Sequence, residues 1–241
     1  MRARSLAATA LFAVLAFTAG CSSDNVLGLG IAGTASDTST ASTARIRFAN
    51  ATAASLDVAS RGAVATGNTS LGFAGSSSCL TVSATSPVIA IRTAGTANAV
   101  ATLTSGLQSG TSYTLVAWTN VGGSTQLATI SDAVSPTSGQ SGLRVFNAVA
   151  TASYDVYVTA PAAPLGSATP TFAAILGGTA SPTTTLDATS AQQVRITATG
   201  SQTVLLDAGN VALLTGQNVV LVIAPPATGS TALRAFLVAG C

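Results

Sequence analysis

The sequence predicts an all-β protein built as two tandem antiparallel β-sandwich domains, and three observations predict it. First, a segment recurs: Arg47-Phe48-Ala49-Asn50-Ala51, followed by Ser55-Leu56-Asp57-Val58, returns as Arg144-Val145-Phe146-Asn147-Ala148, followed by Ser153-Tyr154-Asp155-Val156. Second, short apolar or alternating runs are separated at close intervals by Gly, Pro, Ser and Asn, which is the pattern of strands joined by turns. Third, Thr, Val and Ile with frequent Gly favour strands and turns over helices.

Residues 1–20 read as an export signal: Met1-Arg2-Ala3-Arg4 is basic, and Leu6 to Phe17 is apolar but too short to span a bilayer. Small residues then lead into Cys21. The Ala19-Gly20-Cys21 end resembles the bacterial lipobox, which implies cleavage before Cys21 and lipidation of its thiol; a soluble secreted protein cut near Ala19 or Gly20 is the alternative. In a host with two membranes, Ser22 resembles the signal for outer-membrane delivery. The only membrane contact expected is through that N-terminal lipid. Residues 21–43, rich in Ser, Thr and Gly, read as a flexible tether.

The first sandwich is expected over residues 44–134. Arg45-Ile46-Arg47-Phe48 alternates as a half-buried strand does, and Leu56 to Val58, Leu80 to Val82, Val88 to Ile91, Ala99 to Leu103, Tyr113 to Trp118 and Leu127 to Ile130 supply the others. In Tyr113 to Trp118 both parities are apolar, marking a strand covered on two sides or lying at a contact between units. Ser135 to Ser141 is a short polar boundary. The second sandwich, residues 140–241, repeats the order: Val194 to Gly200 stands where Ile89 to Gly95 stood, and Leu213, Gly216, Leu221 and Val222 stand where Leu107, Gly110, Leu115 and Val116 stood. Pro161 to Pro170 is a loop present in the second copy alone.

The Arg-x-x-Asn-Ala opening, Asp155-Val156-Tyr157-Val158 and the Leu107 to Val116 segment Leu-x-x-Gly-x-x-Tyr-Thr-Leu-Val resemble the bacterial domain of unknown function 4397. The resemblance covers nearly all of the chain after the signal and implies Ig-like β modules in tandem, in secreted and lipid-anchored proteins. It carries no activity.

Composition limits the chemistry. The 241 residues include nine Arg, seven Asp and no Lys, Glu or His; without Arg2 and Arg4 the charges balance. No basic face is available for nucleic acid. The usual general bases are missing, so a Ser-His-Asp or Cys-His arrangement cannot be built, and ordinary zinc or copper sites are excluded too. Neither a catalytic residue nor a cofactor is expected. Asp57 and Asp155 recur beside Arg47 and Arg144, and a structural ion pair or turn hydrogen bond is favoured for them over paired ligand sites. If Cys21 is lipidated, Cys79 and Cys241 remain as a disulfide pair, with free thiols or an intermolecular Cys241 bond as alternatives. Trp118 and Tyr157 are candidates for a ligand face, Tyr157 because alternation sets it opposite Tyr154, Val156 and Val158. The sequons at Asn50 and Asn68 are read as chance. The sequence thus points to a non-catalytic, lipid-anchored envelope protein that serves as a structural or interaction module for an unidentified protein or glycan. The alternatives are a small-ligand or glycan binder, an enzyme limited to Asp, Arg and Tyr, or self-assembly through strand edges.

Overall fold

The computed structural model describes residues 42–132, 134–166, 168–188 and 191–241. The expected signal peptide, Cys21 and all but the last two residues of the tether lie outside the described residues. Among the described residues the ordered elements are strands. The first eight are β1 (Thr43–Asn50), β2 (Leu56–Ser60), β3 (Ala63–Val64), β4 (Leu80–Ser83), β5 (Ile89–Thr93), β6 (Ala99–Leu103), β7 (Ser112–Thr119) and β8 (Thr125–Ser131). The next eight are β9 (Gln140–Asn147), β10 (Ser153–Thr159), β11 (Phe172–Leu176), β12 (Thr184–Asp187), β13 (Gln192–Ala198), β14 (Val204–Val211), β15 (Asn218–Ala224) and β16 (Arg234–Ala239).

These strands form four sheets, ordered β4-β1-β7-β8, β3-β2-β5-β6, β12-β9-β15-β16 and β11-β10-β13-β14. The alternation read at Arg45 to Phe48 sends Ile46 and Phe48 into a core with Leu56, Val58, Ile89, Ile91 and Leu115, which joins the first two sheets into a sandwich. Leu143, Val145, Val156, Ile196, Leu221 and Ile223 do the same for the other two sheets. The two sandwiches share one strand order, with β9, β10, β13 and β15 in the places of β1, β2, β5 and β7.

One detail departs from the purely antiparallel expectation. β1 pairs in parallel with β7, and β9 with β15. In each sandwich the chain leaves its opening strand, crosses to the facing sheet and returns twice. One return lies antiparallel on one side of the opening strand, and the other lies parallel on its far side. A parallel pair requires such a long crossover.

A third apolar cluster lies between the sandwiches. Ala49, Val116 and Ile130 from the first meet Phe146, Val220, Val222 and Val238 from the second. This is why β7 is apolar on both parities: Tyr113, Leu115 and Ala117 enter the first core while Val116 and Trp118 face the second sandwich. β15 is likewise buried from Val219 to Ala224. The sheets holding β1 and β9 are therefore the inner layers of a four-layer stack.

Candidate functional site

The motif residues of both copies spend their polar groups on the fold. Asn50 donates its amide to Ala54 O and Leu71 O at 2.7 and 2.8 Å, and its Oδ1 accepts from Thr52 N at 2.8 Å. Asn147 repeats this with Ala152 O, Ile175 O and the Val149 N–H. Both are fully buried, as is Asn68, so none of these asparagines presents an accessible amide and the two sequons carry no sugar in this fold.

Asp57 accepts from Ser70 N at 2.6 Å and Gly95 N at 2.9 Å; Asp155 accepts from Ala174 N at 2.7 Å and Gly200 N at 2.8 Å. The donors have left-handed backbones in both copies: φ is 49° at Ser70 and 50° at Ala174, 74° at Gly95 and 73° at Gly200. Each carboxylate thus ties a glycine turn to a second left-handed residue, the bend at Ser70 or the bulge at Ala174 within β11, which as a non-glycine adopts that conformation only under constraint. The turn hydrogen bond, rather than the ion pair, accounts for the recurrence.

The arginines of the motif turn instead to the seam between the sandwiches. Arg47 and Arg144 lie on the faces of β1 and β9 opposite the two cores, where they lead into the shared apolar cluster. Arg47 donates to Ala239 O at 2.8 Å and to Cys79 Sγ at 3.2 Å, and Arg45 donates to Cys241 O at 2.9 Å. Cys79 and Cys241 form a disulfide with Cα atoms 5.8 Å apart, which joins the approach to β4 to the residues after β16. The intramolecular pairing is the one adopted, and it staples the second sandwich to the first.

Asp132, at the end of β8, is the acidic group of this seam. Burial pushes its carboxyl up to about 6, against the opposing pull of Arg144, the Thr114 hydroxyl and Arg47. Thr114 donates to Oδ2 at 3.5 Å, and the lack of a side chain at Gly240 admits the carboxylate, since a Cβ there would stand 2.8 Å from Oδ2. Asn218 ties the same corner down by donating to Asp132 O and Val134 O. A small cavity of about 210 Å³ opens here, lined by Ser112, Asp132, Gln217 and Asn218 with Gly216, Gly240 and Cys241. Sequence reading missed Asp132. Its position directly after the strand Leu127 to Ile130, close to the unit boundary, was the available signal.

The two aromatic candidates do not form a ligand face. Tyr157 is 3 % exposed. Alternation placed it correctly on the side of β10 away from the core, but the second-copy loop crosses that side. Ala162 N donates to Gln193 Oε1 and Gln202 donates to Gly166 O, and Leu165 in the same loop is buried. Arg195, opposite Tyr157 on β13, is buried with it and donates to Thr159. Trp118 is turned into the seam, its ring 6.1 Å from that of Phe146 and edge-on to it. Tyr113 is also accounted for, its hydroxyl accepting from Gln108 N.

A larger open groove of about 550 Å³ lies at the start of β1, between the β2–β3 turn and the loop after β4. Its walls include Thr43, Ser60, Arg61, Thr81, Ser83 and Val88. Among the described residues, no group of three or more His, Cys, Asp or Glu is placed to hold a metal ion. No helix among them is long and apolar enough to cross a membrane.

No curated protein matches the chain. Residues 44–159, from β1 through the end of β10, match the model of a family described as a domain of unknown function, DUF4397, so that a DUF4397 domain is found in the first sandwich and the opening two strands of the second.

Proposed function

We propose that this protein is a non-catalytic, lipid-anchored module of the bacterial cell envelope, made of two copies of the same domain and serving as a rigid structural or interaction body. The observation that carries this reading is the use of the repeated polar residues. Asn50 and Asn147 hold loops, Asp57 and Asp155 hold left-handed turn and bulge residues, and Arg47 binds the partner sandwich. Residues that recur because the fold needs them account for the repeat without an active site. The shared strand order and the matching left-handed donors support reading both sandwiches as one domain used twice. A disulfide suits an oxidising compartment outside the cytosol, in keeping with the lipobox-like Cys21. Outer-membrane placement rests on Ser22.

Asp132, with a carboxyl raised to about 6, is the one group that favours a chemical role for the seam cavity. Its partners argue for a structural one: among the described residues no second acidic side chain lines the cavity, and Arg144, Thr114 and Arg47 address the group from both sandwiches.

The test is an intact-mass measurement and membrane fractionation of the protein expressed unreduced in a bacterial host. A triacylated N-terminal Cys21 in the membrane fraction is the expected result. A soluble protein with an unmodified N-terminus cut elsewhere would overturn the anchoring, and a turnover lost in Asp132→Asn would overturn the non-catalytic reading.

A further inference from the structure

We propose that the groove at the start of β1 binds an acidic oligosaccharide. This deepens the envelope-module reading by naming a partner, and rests on it for where such a ligand would be met.

The chemistry of the walls carries the proposal. Seven of the ten lining residues bear hydroxyl groups, two are valines and one is Arg61. Hydroxyls both donate and accept, so they complement sugar hydroxyls and ring oxygens without fixing their sense. No acidic residue is among the described residues lining the groove. Among the described residues that line it, Arg61 is the one that carries a charge, and its planar fork suits a carboxylate or sulfate-ester anion bound through two parallel hydrogen bonds.

Arg61 is also held in place from below. Its backbone is left-handed, with φ 49° followed by 84° at Gly62 in the two-residue turn between β2 and β3, and its N–H donates to Val88 O at 2.9 Å in continuation of the β2–β5 ladder. A two-residue hairpin turn requires that conformation, so the turn fixes where the Arg61 side chain leaves the backbone. Val88 on the same rim is 58 % exposed and offers an apolar surface to the C–H face of a sugar ring. The far wall is shaped by Ser83, which accepts from Ser86 N at 3.2 Å and lies 3.3 Å from the Thr85 hydroxyl. The volume of about 550 Å³ falls within the range of small-ligand sites. Among the described residues no aromatic ring lines the groove, so neutral sugars find no stacking platform there and the anionic group must supply the discrimination.

The test is a titration of the full-length protein, followed by amide NMR and calorimetry at low salt. The probes are trigalacturonate, maltotriose as a neutral trisaccharide, and sulfate as an anion without sugar. We expect saturable, salt-sensitive binding of trigalacturonate with shifts at Thr43, Ser60, Thr81 and Val88. Affinity should fall roughly tenfold or more for maltotriose and in Arg61→Gln, the loss of one charge-assisted pair. Thr81→Val, on an exposed strand position, should weaken binding less. Thermal melting of Arg61→Gln confirms that it folds. The proposal is overturned by the absence of saturable shifts at millimolar trigalacturonate, by equal binding of maltotriose or of sulfate alone, or by unchanged affinity in Arg61→Gln. The lipid state is read on the same sample by intact mass. A null titration with triacylated Cys21 sinks the groove alone, while binding by a chain with unmodified Cys21 sinks the anchoring alone.

Discussion

The guanidinium of Arg47 lies against Cys79, with Nη2 3.2 Å from Sγ, while its Nη1 donates to Ala239 O at 2.8 Å. One side chain on the opening strand of the first sandwich thereby touches the disulfide and the last strand of the second. Arg45, two residues earlier on the same face, reaches Cys241 O. The crosslink is thus one part of a joint that also contains hydrogen bonds and, deeper along the same strands, the apolar cluster around Phe146 and Val116.

The Cys79–Cys241 bond spans 162 residues, a closure that removes about 5 kcal/mol of denatured-state entropy in the chain model. We expect the Cys79→Ala/Cys241→Ala variant to lose about 3 to 5 kcal/mol in urea unfolding, and dithiothreitol to impose a similar loss on the wild type and none on the variant. Arg47→Ala should lose about 1 to 3 kcal/mol with the disulfide intact, since it removes a charged donor from two acceptors. A wild-type midpoint indifferent to reductant would refute the staple.

Asp57 and Asp155 give a second expectation. Each accepts two backbone N–H groups from left-handed residues, Ser70 and Gly95 for Asp57, Ala174 and Gly200 for Asp155. Asp57→Ala and Asp155→Ala should each destabilise by about 2 to 4 kcal/mol, as two charge-assisted hydrogen bonds disappear and the strained donor, Ser70 or Ala174, is left without its acceptor. Asn, which keeps one carbonyl oxygen, should recover part of the loss. Hydrogen exchange at the Ser70, Gly95, Ala174 and Gly200 amides reads the effect locally, and unchanged protection there would contradict it.

The layered core was largely legible because burial on two faces writes itself into a strand. In Tyr113 to Trp118 both parities are apolar, and the structure puts one parity in the first core and the other in the seam. The parallel β1–β7 pair was not legible, since alternation fixes which face a residue takes but not which distant strand lies beside it. Tyr157 shows the same limit from the other side. Its face follows from the period of two, yet its burial depends on the loop held by Gln193 and Gln202. Asp132 was passed over because its approach to Gly240 and the pull of Arg47 and Arg144 join residues far apart in the chain.

The pH dependence of stability should report on Asp132. Its folded carboxyl is raised from 3.8 to about 6, chiefly by burial. The folded protein therefore holds this proton more tightly than the unfolded chain. The resulting stabilisation is fully present below pH 3.8 and is lost as pH rises through about 6. The ceiling on the change is about 3 kcal/mol, from roughly 1.4 kcal/mol per unit. Asp132→Asn carries no ionisable group, so the difference between wild-type and variant stability across pH 4 to 7 isolates the contribution. We expect the variant to gain on the wild type by roughly 1 to 3 kcal/mol over that range. A difference that is flat, or of opposite sign, would remove buried ionisation of Asp132 from the account of the seam.

The seam can be probed from its centre through Trp118, the chain's single tryptophan. The ring meets Phe146 edge-on at 6.1 Å, and Gly178 of the second sandwich approaches it so closely that a Cβ there would overlap the indole. Gly178 also has φ +76°. Gly178→Ala therefore incurs a backbone strain of about 1 kcal/mol together with displacement of the ring, for an expected loss of about 2 to 4 kcal/mol. Trp118→Ala should lose about 3 to 5 kcal/mol by leaving a cavity between the sandwiches. The double variant separates the two costs of the alanine. Once the indole is gone, Gly178→Ala should cost only its backbone strain, so the two losses fall short of additivity by at least about 1 kcal/mol. Tryptophan emission gives an independent reading: Gly178→Ala should shift it to the red while the far-ultraviolet β signal stays unchanged, because the ring leaves the seam and the strands remain. Strictly additive losses with unshifted emission would mean that Trp118 does not lock the two sandwiches together.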